Sequence, residues 1–179
     1  IVRISEIIVG LKSFAKVDNR PTTTRFDLVD LVQEVLRICD FHLKNKGVKV
    51  NVKAPGKPLI LPGNRTQICQ VLVNLVNNSI DAIRNLQDKW IKIKLLEKEG
   101  VVTIQVIDSG LGIPKQIATM VMTPFFTTKD EGTGLGLSLS RSLVKAHGGD
   151  LIINPTLPNT CFEVVLPKGG KDGGNVTTV

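Results

Sequence analysis

Residues 1 to 15 place Ile4, Ile7, Ile8, Leu11, Phe14 and Ala15 at the i, i+3, i+4, i+7 spacing of a helix with one apolar stripe. The stripe stops at Asp18-Asn-Arg-Pro-Thr-Thr-Thr24, where Pro21 and the threonines favour extended chain. Arg25-Phe26 suits a short strand. Asp27 can then cap a helix carried by Leu28, Leu31, Val32, Val35, Leu36, Ile38 and Cys39 as far as Gly47. Val48 to Val52 alternates as a strand, Pro58 to Pro62 is another short extended run, and a long helix is predicted from Asn64 to Gln87.

Beyond it, Ile91, Ile93 and Leu95 alternate with Lys92 and Lys94, and Val101 to Ile107 alternates again after Glu99-Gly100, which predicts a β-hairpin. Glycines punctuate residues 108 to 136. A helix follows as far as Gly148-Gly149, and Leu151 to Ile153 with Phe162 to Leu166 makes a final strand pair. This order fits a two-layer α/β sandwich, a mixed sheet with helices on one face, preceded by an N-terminal helical extension. The expected units are the helical piece 1–17, a linker 18–25, the main domain 26–167 and a flexible tail 168–179 that holds four glycines and little to bury.

Composition narrows the choice of function. The 179 residues are 42% hydrophobic, enough for one full core. The N-terminal apolar residues lack a signal-peptide cleavage site, and no apolar run approaches the roughly 20 residues that span a bilayer. Cys39, Cys69 and Cys161 are odd in number and have no C-x-x-C spacing, as expected of reduced core thiols in a cytoplasmic protein. The net charge is +7, but the lysines are scattered, Tyr is absent and aromatics are 4%, so no platform for nucleic-acid bases is visible. Solvated surface lysines explain the charge, with a face that attracts a polyanionic nucleotide or an acidic protein as the other reading.

On the long helix, Gln67, Gln70, Asn74, Asn77, Asn78, Asp81 and Asn85 form one polar stripe opposite Ile68, Val71, Leu72, Leu75, Ser79, Ala82, Ile83 and Leu86. Such a stripe is ordinarily a solvated face. Asparagine, however, is a poor helix former, and three in five residues serve solubility badly. Carboxamide oxygens are hard neutral acceptors suited to magnesium, and Asn74 and Asn78, one turn apart, can face one ion.

Asp108 ends a predicted strand and leads into Ser-Gly-Leu-Gly112. A carboxylate there can accept from the exocyclic amine of adenine while Gly110 and Gly112 let the backbone approach a flat ring; a plain D-S-G turn is the alternative. Gly132-Thr-Gly-Leu-Gly-Leu137 opens a helix whose free N–H groups suit phosphate. It is neither a P-loop, lacking Gly-Lys-Ser/Thr, nor a dinucleotide fingerprint, since no strand feeds into it. Between the glycine segments, Pro124-Phe-Phe-Thr-Thr-Lys129 reads as a lid anchored by Phe125 and Phe126, with Thr127, Thr128 and Lys129 reaching the phosphates.

Together these residues resemble the catalytic ATP-binding domain of bacterial sensor histidine kinases, within the Bergerat-fold group that also holds gyrase B, mismatch-repair ATPases and a heat-shock chaperone ATPase. The N box resembles Asn74 to Ala82, the first glycine box Asp108 to Gly112, the F box Pro124 to Lys129 and the second glycine box Gly132 to Leu137. The likeness runs from Phe26 to Pro167 and includes Ala146-His-Gly-Gly149 and Thr160-Cys-Phe162.

The resemblance implies ATP and Mg2+ as ligands. Asn78 would ligate the ion with Asn74 beside it or its waters, Asp108 would bond adenine N6, and Thr160 would lie beneath the base. The backbone around Gly134, Leu135, Gly136 and Leu137 would hold the phosphates. Asp81, Ala82, Ile113, Phe126, Thr127, Thr128, Lys129, Gly132 and Thr133 complete the expected nucleotide site, with Asn74 and Lys129 in catalytic roles.

In the hydrolysing members of the group the position of Asn74 is typically a glutamate that activates water, which an amide cannot do. The resemblance therefore implies γ-phosphoryl transfer to a histidine on an upstream dimerisation hairpin, for relay to a response-regulator aspartate. Residues 1–17 look like the end of that hairpin's second helix, in a homodimeric full-length protein that can be membrane-anchored. This chain alone is expected to be monomeric and unable to phosphorylate itself. His42 and His147 lack the acidic neighbour and following proline of a phospho-acceptor. A conformational ATPase of the mismatch-repair kind and a non-catalytic interaction module stand as the other readings.

Overall fold

The computed structural model describes residues 24–127 and 132–169. Its elements in chain order are β1 (Thr24–Asp27), α1 (Leu28–Asn45), β2 (Lys49–Lys53), β3 (Ile60–Gly63), α2 (Arg65–Ala82), β4 (Trp90–Lys98) and β5 (Val101–Asp108). A single-turn α3 (Lys115–Ala118), α4 (Gly136–Ala146), β6 (Asp150–Ile153) and β7 (Cys161–Pro167) follow. The expected helical piece 1–17, most of the linker and the tail from residue 170 lie outside the described residues. Strand β1 begins at Thr24, two residues before the expected domain start.

The main sheet has the order β2-β4-β5-β7-β6, parallel between β2 and β4 and antiparallel elsewhere. The predicted hairpin is β4–β5. Glu99 (φ 52°) and Gly100 (φ 76°) form its two-residue turn, the left-handed pair whose twist matches the flanking strands. Register puts Ile91, Ile93, Leu95, Val102, Ile104, Val106, Phe162, Val164, Leu166 and Leu151 on one face, all buried. They pack against Leu31, Val35, Ile68, Leu72, Leu75 and Val144 from the helices in one core. The mixed sheet with a helical layer is the predicted sandwich. Strands β1 and β3 pair separately as a two-stranded ribbon that, with Leu59 just before β3, adds Phe26 and Leu61 to that core.

Two polar devices fix how the helices meet the rest. One Asp27 oxygen accepts from Val29 N at 2.9 Å, capping α1, and from Leu59 N at 3.1 Å, tying the approach to β3 to the same point. Asn64 caps α2 through Gln67 N at 3.2 Å, and its own N–H donates to His147 Nε2 at 3.0 Å. His147 Nδ1 in turn lies 2.8 Å from Leu143 O, so the ring is the Nδ1–H tautomer that accepts through Nε2. Gly63 has no Cβ where one would stand 2.7 Å from this ring. The C-terminus of α4 is thus fastened to the N-terminus of α2, and the two helices run antiparallel.

The structure corrects two expectations. The long helix ends at Ala82, not Gln87: Arg84 N bonds Asp81 O and Leu86 N bonds Ile83 O, tightening the chain into turns over Ile83, Arg84 and Asn85. Buried Ile83 and half-buried Leu86 keep the apolar rhythm through those turns, which is why the periodicity reads as helix. Phe125 is 74% exposed, so its side chain does not anchor the segment; it is the backbone, at a left-handed φ of 66°, that meets the second glycine segment.

Candidate functional site

Because α4 runs antiparallel to α2, its N-terminal turn comes level with the C-terminal half of α2, where Asn74, Asn78 and Ser79 lie. The C-terminal end of β5 arrives on the same helical face, since Asp108 pairs with Ile91 and keeps the parity of Val106 and Ile104. The end of a strand, the middle of one helix and the start of another therefore meet at one edge of the sandwich.

At the first corner, Asp108 is 1% exposed. Its Oδ1 accepts from Gly110 N at 2.9 Å, its own N–H donates to Thr160 O at 3.1 Å, and Thr160 N donates to Gly110 O at 3.3 Å. Asn159 Nδ2 adds a bond to Gly110 O at 3.1 Å. A Cβ on Gly110 would lie 2.7 Å from Asp108 Oδ1 and 3.0 Å from Thr160 Oγ1, so only glycine lets this turn close. Burial pushes the Asp108 carboxyl above its usual range, while the Gly110 N–H and the nearby Ser79 and Thr160 hydroxyls pull it back. Ser79 Oγ is itself buried beside this carboxyl, close enough to lower it yet outside good hydrogen-bond geometry. A buried carboxylate with a weakly engaged hydroxyl at its side leaves acceptor capacity for a ligand with donors.

At the second corner, Asn74 Nδ2 donates to Ser140 Oγ at 2.9 Å. Asn74 Oδ1 occupies the space where a Cβ of Gly136 would lie 2.6 Å away. Gly136 opens α4, and its N-cap, Leu135, supplies no side-chain bond, so the first N–H groups of the helix stay available. Thr133 Oγ1 accepts from Leu135 N at 3.4 Å, shaping the entry to that helix. Gly134, at φ 68°, lies against the backbone of Phe125, bringing the lid segment and the second glycine segment together.

The expected site residues distribute as follows. Asp108, Gly110 and Thr160 cluster at the first corner, and Asn74, Gly136 and Gly134 at the second. Asn78 is half-buried one turn beyond Asn74, with Asp81 and Ala82 exposed on the last turn of α2. Ile113 and Leu137 are half-buried against the core, and Leu135 is buried. Gly112 passes 3.5 Å from Pro158 O, measured from the position its Cβ would take. Gly132, Thr133 and Phe126 are half-buried and Thr127 exposed; Thr128 and Lys129 lie outside the described residues. Sequence reasoning missed Ser79, Asn159 and Ser140. The signal for the two serines was a hydroxyl standing in an otherwise apolar, buried stripe.

Comparison with known proteins decides the family. The model for histidine kinase-, DNA gyrase B- and HSP90-like ATPases matches residues 63–170. The nucleotide-free catalytic domain of histidine kinase ThkA superposes with a TM-score of 0.74 at 33% identity, over 82% of this chain and 95% of that one. The chain belongs to this family.

It is a histidine kinase catalytic domain, the ATP-binding part of such proteins. The C4-dicarboxylate transport sensor protein DctB of Rhizobium meliloti is 30% identical over 169 residues, 93% of this chain and 27% of that protein. The structure of ThkA in complex with response regulator protein TrrA matches with a TM-score of 0.77 at 27% identity, over 93% of this chain and 48% of that one. The chain spans no more than 30% of the length of the curated relatives it matches, 27% of DctB and as little as 17% of sensor histidine kinase TmoS. Among the described residues no helix is long and apolar enough to cross a membrane.

Proposed function

We propose that this domain binds Mg-ATP across the two corners and donates the γ-phosphate to a histidine on a dimerisation hairpin of the full protein, for relay to a response-regulator receiver domain. The observation that carries the reading is the amide of Asn74, turned toward the first turn of α4. A carboxamide takes no proton from water, so the site has an acceptor for a cation where a hydrolase would have a base.

Asp108 would accept from the adenine amine, with Ser79 Oγ beside it for a bridging water and Thr160 lining the base. The open N–H groups of α4 and the backbone of Gly134 to Leu137 would cradle the phosphates. The donor set would suit a hard cation: Asn74, with its Oδ1 beside the first residue of α4, and Asn78 one turn on would offer amide oxygens of the kind that magnesium shares with phosphates and water. Bound there, magnesium would neutralise phosphate charge. The residues' own part is positioning, the main requirement of phosphoryl transfer.

The receiver partner is supported by ThkA, which has been solved with its response regulator. A dimer formed through the upstream hairpin and a cytoplasmic location belong to the same proposal. Incubation of the chain with γ-labelled ATP tests it. The chain alone should retain no label and release little phosphate, and addition of the full protein's histidine hairpin should yield a labelled histidine on the hairpin. Label on His42 or His147, or steady hydrolysis that Asn78→Ala abolishes, would contradict it.

A further inference from the structure

Helix α4 carries serines at alternate positions 138, 140 and 142, and they behave differently. Ser138 Oγ donates to Leu135 O at 3.0 Å and Ser142 Oγ donates to Ser138 O at 3.0 Å, each bonding back within its own helix. Ser140, 3% exposed, reaches across to α2, where its Oγ accepts from Asn74 Nδ2 at 2.9 Å.

The other end of that amide is equally constrained. Asn74 Oδ1 fills the space beside Gly136, at the end of α4 where N–H groups have no side-chain cap. An oxygen is favoured against these donors and the positive end of the helix, and an NH2 group would be repelled by them. The helix end favours one facing of the amide, and Ser140 holds the NH2 end of this half-buried side chain.

We propose that Ser140 is a positioning residue for the metal-nucleotide site: it locks the Asn74 carboxamide with its oxygen toward the phosphate end of the cleft. This rests on reading Asn74 as a magnesium-side amide. Without the hydroxyl only the helix end orients the amide, so it is held less firmly and each binding event must order it further. Ser140 itself touches neither nucleotide nor ion. Its effect should therefore appear in the magnesium-dependent part of ATP affinity and leave the contacts of the base untouched.

The test titrates the chain with ATP, once with Mg2+ and once with EDTA, for wild type, Ser140→Ala, Ser140→Thr and Asn78→Ala, with thermal melting to establish folding. Ser140→Ala should lose about fivefold in affinity with Mg2+, the worth of one neutral hydrogen bond, and change little in EDTA. Ser140→Thr should restore the wild-type value. If Ser140→Ala does not fold, Ser140→Cys, close in size but a weak acceptor, gives the same comparison. Equal loss with and without Mg2+, or no loss beside a clear loss in Asn78→Ala, overturns the role of Ser140 alone. Wild-type affinity that ignores Mg2+ removes the reading of Asn74, and this inference with it.

Discussion

Gly134 and Phe125 meet backbone to backbone. A Cβ on Gly134 would stand 2.6 Å from Phe125 O and 2.7 Å from Phe125 Cα, and both residues hold left-handed φ angles, 68° and 66°. The glycine is required twice, by its conformation and by its neighbour. Gly134→Ala should therefore destabilise the folded chain by about 1–2 kcal/mol from the backbone alone, and lower ATP affinity further by pushing Phe125 away. Chemical denaturation read beside an ATP titration checks both effects. Unchanged affinity would mean that this contact does not shape the nucleotide site.

Asp108 sets stability against function. Burial, the largest influence, raises its carboxyl above the usual 3.8, so the fold by itself favours the protonated form. This group's contribution to stability is thus fully present below pH 3.8 and is lost as pH rises through the raised value. In the proposed site binding would run the other way, since only the ionised carboxylate is a pure acceptor for an adenine amine. ATP affinity should fall as pH drops through the raised value, beginning above 3.8. Titrations across the acid range, at pH values where melting curves show the chain folded, measure this directly.

The same conflict predicts the behaviour of Asp108→Asn. Removing the buried charge should leave the melting temperature of the nucleotide-free chain equal or higher, while ATP affinity falls by about 2 kcal/mol, the worth of a charge-assisted hydrogen bond. A variant that both melts early and binds poorly would assign Asp108 a structural role.

His147 belongs to the frame. It accepts from Asn64 N and is held by Leu143 O, so His147→Ala leaves the start of α2 with one N–H lacking its partner. The expected cost is about 1–3 kcal/mol in stability, seen as a lower denaturation midpoint, with ATP affinity of the folded fraction unchanged. Loss of affinity without loss of stability would place His147 in the site instead.

What could be read from the sequence follows from where each signal resides. The sandwich was legible because Ile91, Ile93, Leu95 and Val102, Ile104, Val106 keep a strict period of two, while Ile68, Val71, Leu72 and Leu75 of α2 keep the helical one. Asn74, Asp108 and the glycines stood out as residues expensive in their local element, and the structure groups them at one edge. Ser140 and Ser79 carried only a faint signal, because a hydroxyl in a buried stripe reads as a small filler until the partner across the gap is known. The end of α2 was misread since the turns after it keep Ile83 buried and Leu86 half-buried at helical spacing, although the i→i−4 bonds stop at Ile83 N to Ser79 O. The single turn at Lys115–Ala118 was missed for want of length: four residues carry no periodicity.

The central claim, an amide-based site for magnesium and ATP between Asp108 and the start of α4, is tested most directly by calorimetric titration of the chain with a non-hydrolysable ATP analogue, with and without Mg2+. The account predicts one site per chain, tighter with Mg2+, weakened about thirtyfold by Asp108→Asn and stripped of its Mg2+ dependence by Asn78→Ala. Binding that Asp108→Asn leaves at full strength, or the absence of any binding to the folded chain, would contradict it.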